Sequence, residues 1–388
     1  YNGPNIIDAT IDQVPSQGLC SSTSADPTTC FRPTYMGFPD NFASPDKFRT
    51  ITTQVRYIPA NLRDGYIQNW HFTIQRELTK DLTLDVAYVG SKGTRIMILG
   101  DYNQANPNQP GQNIALQSRR PLSNFTTIEI AFDGGFSTYH ALQTKLEKRF
   151  GGGLYALNSF SWSKAIDNAS GHLEANNGDN SRANYRDLTH EKGLSSYDQP
   201  FNNTLSLIYQ LPFGKGRRFA LPNAATNWAL GGWEVSLMNT LTSGLPINLT
   251  YSPSSQYSVS GLPSYRVNVT GNPVLAEGSR TGNPSTSSQY IQYLNASAVA
   301  QPTDPSHPFG NAGRNIARGY PLYQVDCGIH KDFPVLRESW KLQFRGEAFN
   351  LTNQTNFMAP SSNLGSTYGR ITSTFPARQL QFGLKFLF

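Results

Sequence analysis

Apolar and polar residues alternate over the last nine positions of the chain. Leu380, Phe382, Leu384, Phe386 and Phe388 fall on one side of an extended strand and Gln381, Gly383 and Lys385 on the other, with Leu387 the apolar exception. Domain ends that lie in water usually fray into polar residues, because terminal residues have few partners. This end carries its most apolar stripe at a strict period of two, with no downstream element to cover it. The pattern predicts a strand with one face in lipid and the other in water.

The same period recurs along the chain. In 66–78, Trp70, Phe72 and Ile74 oppose Asn69, His71, Thr73, Gln75 and Glu77; after the tight turn Thr79-Lys80-Asp81, Leu82, Leu84, Val86 and Tyr88 oppose Thr83, Asp85 and Ala87. A strand ending around 137–150 sets Leu142 and Leu146 against Gln143, Lys145, Glu147 and Arg149, and Gly151-Gly152-Gly153 turns it into a strand at 154–163. Further strands are predicted at 201–213, 233–250, 322–333 and 339–351, each with apolar residues such as Leu207, Tyr209, Trp233, Val325, Trp340 and Phe344 on one face. Between them lie polar loops at about 101–122, 168–199 and 252–319, and a shorter one near 354–368. A basic turn containing Lys215, Arg217 and Arg218 follows the 201–213 strand.

Short turns and long loops therefore alternate, which is the asymmetry of outer-membrane barrels, with tight turns in the periplasm and long loops outside. The expected fold is all-β: an antiparallel up-and-down transmembrane β-barrel segment of about nine or ten strands. Residues 1–65 read as an extracellular loop or strand-extension region, with some strand within 48–58, and 66–388 as the barrel portion. The first of nine strands runs inward, as does the last, and bacterial barrels use even numbers. The simplest expectation is a carboxy-terminal portion of a larger barrel whose partner strand for 380–388 lies elsewhere. Tyr1-Asn2-Gly3-Pro4 resembles the middle of a loop, so an export signal is expected to have been removed or to lie upstream.

Composition fits this without forcing it. Charged residues make up 15% and the mean hydropathy is −0.44, a low charge with retained polarity that alternate-residue burial explains. No run approaches the roughly 18 consecutive apolar residues that a membrane-spanning helix needs. The net charge of +6 is spread through strands, leaving Lys215-Gly216-Arg217-Arg218 as the one short cluster, so no nucleic-acid surface is expected.

Cys20 and Cys30 lie in a Ser/Thr/Pro-rich stretch and are candidates for a small disulfide loop, whereas Cys327 sits in a strand. The six histidines are scattered without metal-ligand spacing, and no metal or cofactor is expected. Gly151–Gly153 and Gly214-Lys215-Gly216 lack phosphate-loop spacing, and no nucleophile-elbow, zinc-protease or paired-carboxylate motif stands out, so the chain does not read as an enzyme. Asp167, Glu174, Asp179, Asp187 and Glu191 share one loop, where solvated acidity is the default and calcium the sharper alternative. Trp70, Tyr88, Trp162, Tyr209, Trp233 and Trp340 are candidates for an interfacial girdle, with ordinary core packing as the alternative. Lys145, Glu147, Arg149, Lys341, Arg345 and Glu347 are lumen-facing candidates for contact with a plug or substrate; a salt-bridged, solvated wall is the plainer reading.

Several segments together resemble Oar-like TonB-dependent receptors: Gln68–Leu78, Val86–Thr94, Tyr139–Phe150, Phe160–Asp167, Leu211–Arg218, Phe344–Asn353 and Gln381–Phe388. The likeness covers most of 66–388. It implies a barrel of about 22 strands with a plug, energised by the TonB complex, and it implies that Phe388 ends the strand recognised during barrel assembly. The chain has room for neither plug nor TonB box, so those partners, and the upstream strands, would belong to a longer parent. Its neighbours would then be outer-membrane lipid and an unidentified extracellular solute. Two other functions are weighed: a structural or adhesive surface protein of the outer membrane, and a soluble, secreted β-rich binding module.

Overall fold

The computed structural model describes residues 13, 16–23, 25–26, 29–39, 53–171, 175–176, 179–180, 184–261, 263–283, 289–335 and 337–388. Nine strands form an antiparallel meander in which each pairs with the next: β2 (Tyr66–Thr79), β3 (Leu82–Asp101), β4 (Phe125–Gly151), β5 (Leu154–Asp167), β6 (Phe201–Gln210), β7 (Glu234–Thr242), β8 (Leu322–Val335), β9 (Arg337–Phe349) and β10 (Gln379–Leu387). Two short strands complete this eleven-stranded sheet. β1 (Thr53–Tyr57) lies parallel to the start of β4, and Gly193–Leu194 pairs with the end of β5. The sheet is open, with β2 and β10 as its edges.

Register gives the sheet two chemically distinct faces, because residues paired across strands point the same way. One row reads Tyr88, Leu142, Trp162 and Phe201; another reads Leu207, Leu237, Cys327, Ala348 and Leu380. On the opposite face, Asp85, Lys145, Ser159, Thr204 and Thr240 form one row and Ser236, Gly328, Glu347 and Gln381 another. Much of the apolar face is bare among the described residues: Phe72 is 66% exposed and Phe382 and Leu384 are each 69% exposed. A wall this apolar is stable where lipid takes the place of a core.

The packed apolar core lies instead in the connections at the long-loop end. Ile247, Leu249, Val259, Val267, Leu294 and Ile371 are buried there with Tyr251, Tyr265, Tyr293 and Tyr368. Each such aliphatic side chain contributes about 1.5–3 kcal/mol by leaving water. Short ribbons stitch the loops together. Pro246–Ile247 pairs with Ala317–Arg318, Thr250–Tyr251 with Asn363–Leu364, and Tyr290–Gln292 lies between Gly282–Asn283 and Arg370–Ile371. The loops at 252–319 and 354–368 are thus one folded cap.

Several strand boundaries differ from the sequence expectation. β3 and β4 extend far past the wall to Asp101 and back to Phe125, because Ile98, Leu99, Ile128, Ile130 and Ala131 are buried on both faces there and the period of two breaks down. The 233–250 strand stops at Thr242. A Cβ on Gly244 would lie 2.0 Å from the Gly319 carbonyl oxygen, and this close approach turns the chain into the cap. The 201–213 strand ends at Gln210, and its basic turn contains the helix α1 (Ala224–Leu230) started by an Asn223–Thr226 capping box. Of the 48–58 stretch, 48–52 lies outside the described residues, and Thr53–Tyr57 is strand.

Candidate functional site: the polar wall and its loop cap

The polar face carries charge in separated groups. Lys145 and Glu147, two residues apart on β4, meet at 2.9 Å, with Asp85 opposite Lys145 on β3. Beside them a concavity of about 370 Å³ is lined by Asp85, Gln143, Lys145, Ser159, Ser161 and Thr204. Being largely solvated, the ion pair adds little stability and leaves its charges available. Arg345 and Glu347 lie on the same face of β9, opposite His330 and Gly328, and Lys341 pairs with Leu387 near the turn end. Four strands separate β4 from β9, so these residues form two groups and not one site. Arg149 stands apart at the β4–β5 turn, where its backbone N–H donates to the Asp81 carbonyl at 2.7 Å. In the neighbouring β2–β3 turn the Asp81 carboxyl is held below its ordinary range by hydrogen bonds from Lys148 and Thr79.

The six aromatic candidates occupy two levels of the apolar side. Toward the long loops, Trp70 lies over Gly90, Tyr88 Oη is 2.8 Å from His140 Nδ1, and Trp162 is 64% exposed. Toward the short turns, Tyr209 pairs with Leu154, the Trp233 indole donates to the Ala229 carbonyl at 3.0 Å, and the Trp340 ring lies 5.7 Å from Phe386. Eight residues along β5 separate the Trp162 row from the Leu154 row, a rise of about 27 Å along the strand. Tilted as barrel strands are, that is about the height of an outer-membrane apolar band.

Above the wall, three buried arginines and the half-buried Arg318 clamp the loops. Arg120 reaches the Asp101 carboxylate at 3.0 Å, and that carboxylate also accepts from Ser260 Oγ and from the backbone N–H groups of Asn103 and Ile128. Arg266 pairs with Glu191 at 2.9 Å and donates to the carbonyls of His190 and Ala312. Arg314 pairs with Asp167 and donates to the Glu191 carbonyl, and Arg318 reaches Asp198 at 2.6 Å. Guanidinium forks suit such positions, because five fixed donors can satisfy several carbonyls and a carboxylate at once. Burial lowers the Arg314 pKa to about 10.

These clamps take up part of the acidity of the 168–199 loop. Asp167 and Glu191 are committed to arginines, and the Asp187 carboxyl, pulled below its ordinary range by Thr189 and then His190, stays within its own turn. Glu174 and the side chain of Asp179 lie outside the described residues. Among the described residues no cluster of three His, Cys, Asp or Glu side chains could hold a metal ion. Cys20 and Cys30 are joined by a disulfide, and Cys327 is a free thiol.

Sequence reasoning passed over the clamping arginines, Trp228 on α1, and Lys331. An isolated Arg in a polar loop gives no local signal of burial, and the carboxylate partners of Arg266, Arg318 and Arg314 lie 75, 120 and 147 residues away.

Residues 1–381 match the model of the outer membrane beta barrel domain family. Among solved structures, the outer membrane transporter YddB from Escherichia coli is similar at 10% identity and a TM-score of 0.43, over 86% of this chain and 34% of that one. The FrpB iron transporter from Neisseria meningitidis is similar at 12% identity and a TM-score of 0.40, over 85% of this chain and 32% of that one. The chain thus spans about a third of each of those structures. No curated protein matches it. Family membership, with an apolar wall whose Phe72, Phe382 and Leu384 stand exposed, overturns the soluble secreted module. The chain belongs to the outer membrane beta barrel domain family, and its strands form part of a barrel wall in the cell outer membrane.

Proposed function

We propose that this chain is a wall sector of an outer-membrane transporter of the TonB-dependent kind, with the loop cap outside the cell and the short turns in the periplasm. The polar face lines the lumen, the two aromatic levels sit at the membrane interfaces, and a large extracellular solute is received between the cap and the polar wall. The observation that carries this reading is the concavity around Asp85 and Lys145 on the polar face of an otherwise lipid-compatible sheet. A plug, further barrel strands and the TonB complex are partners supplied from outside this segment. The role is binding and passage, with no chemical step assigned to the chain.

The test is solute uptake by cells carrying the intact parent protein, with and without a working TonB complex, and with the cap segment 252–319 removed. Uptake that ignores both changes would sink the proposal. A structural or adhesive surface role is the second reading. It is favoured by the packing of Tyr251, Tyr265, Tyr293 and Tyr368 inside the cap, which makes the loops a rigid platform. Cell–cell adhesion lost with the cap, alongside unchanged uptake, would select it.

A further inference from the structure

The connection from β6 to β7, residues 211–233, is the long one on the short-turn side, and it folds back onto the apolar face. Lys331 of β8 is paired with Phe344 in an apolar row, yet only 2% of it is exposed. Its ammonium donates to the carbonyls of Trp228, Ala229 and Gly231 at 2.5, 3.0 and 2.6 Å, closing the carboxy-terminal end of α1. The ammonium also lies 4.6 Å from the Phe333 ring and 5.4 Å from Trp233. The Trp228 ring packs 4.8 Å from Phe333, and its indole donates to the Pro334 carbonyl at 3.3 Å.

A lysine amid lipid-facing residues is tolerated where its charge meets backbone carbonyls and ring faces. Here those groups come from α1, so Lys331 fastens the helix to the outside of the wall. Fixed there, the connection leaves Phe213, Phe219, Trp228 and Leu230 between 41% and 56% exposed. It also carries Lys215, Arg217 and Arg218, all exposed, and no acidic residue. Aromatic and aliphatic side chains beside an uncompensated basic cluster, at the edge of an apolar band, match a membrane interface containing anionic headgroups.

We infer that residues 211–233 form an interfacial anchor for anionic phospholipid of the leaflet on the short-turn side. Trp228, Leu230 and Phe219 enter the acyl region, and Lys215, Arg217 and Arg218 hold the phosphate and acidic headgroup. Only the membrane location of the wall is required, so the inference stands or falls independently of solute transport.

The test uses the purified protein in nanodiscs of phosphatidylcholine, alone or mixed with phosphatidylglycerol. Brominated acyl chains should quench the wild-type tryptophan emission more than that of Trp228→Phe. Lipids retained on release from the disc, read by native mass spectrometry, should favour phosphatidylglycerol. That preference should fall about tenfold or more in the triple variant Lys215→Gln, Arg217→Gln, Arg218→Gln. Among the described residues the three substituted side chains make no hydrogen bond or ion pair to the strands, so the variant keeps its wall. Equal quenching in wild type and Trp228→Phe would place the helix in water and overturn the anchor. Acyl quenching with equal retention of both lipids would overturn the headgroup site.

Discussion

Arg266 and Glu191 are 75 residues apart in the chain and 2.9 Å apart in the fold, both almost wholly buried. Removing one partner of such a pair strands the other charge away from water. Arg266→Met should therefore loosen the cap by about 3–5 kcal/mol, whereas Arg266→Met with Glu191→Leu should cost less. Limited proteolysis of the cap, with its thermal midpoint, reads the difference. A double variant no more stable than the single one would refute the buried-charge argument.

Alkaline pH should open the cap before the wall. Burial pushes the phenols of Tyr251, Tyr265, Tyr293 and Tyr368 up, the last to about 12. A raised phenol favours the neutral form in the folded state. Its stabilisation is intact below the ordinary value near 10 and is lost as pH climbs toward about 12. Absorbance at the tyrosinate band should show a late-titrating set that ionises together with cap proteolysis. If every tyrosine titrated with the exposed ones, the packed cap would be wrong.

Gly90 makes room for Trp70. A Cβ at position 90 would stand 2.2 Å from the Trp70 indole nitrogen, so Gly90→Ala must displace the ring. The expected cost is about 1–3 kcal/mol, vanishing when Trp70→Ala is already present. Melting of the heat-modifiable band measures both. Equal losses in the two backgrounds would show that the glycine serves something other than the ring above it.

Phe388 is 92% exposed, and among the described residues its ring stacks only on Phe386, 6.1 Å away. Phe388→Ser should accordingly leave the melting midpoint of assembled protein unchanged while lowering the fraction that reaches the outer membrane. This is the outcome expected of an assembly signal. A shifted midpoint with a normal assembled fraction would make the residue merely structural.

The wall was legible because a strand with lipid on one side and water on the other writes its environment into every second residue. Leu142 beside Gln143 and Phe344 beside Arg345 are enough to set the face. The upper parts of β3 and β4 were not, since Ile98 and Leu99 are adjacent and both buried. Cap residues hid for a different reason. Tyr251, Tyr265 and Tyr368 sit in Ser- and Gly-rich sequence that suggests exposed recognition loops, and only long-range pairing turns them inward. Lys331 reads as an interruption of an apolar row until the carbonyls of α1 are in place around it.

Because the packed apolar cluster lies at the long-loop end while much of the wall's apolar face is exposed, the two parts of the molecule answer to heat differently. Transfer of apolar surface out of water is what gives unfolding its large heat capacity. Leu249, Val267 and Leu294 make that transfer, while Phe72, Phe382 and Leu384 exchange one apolar surrounding for another during folding within the membrane. The cap should therefore have a curved stability profile, weakening in the cold as well as in the heat, above a wall whose stability varies far more evenly with temperature.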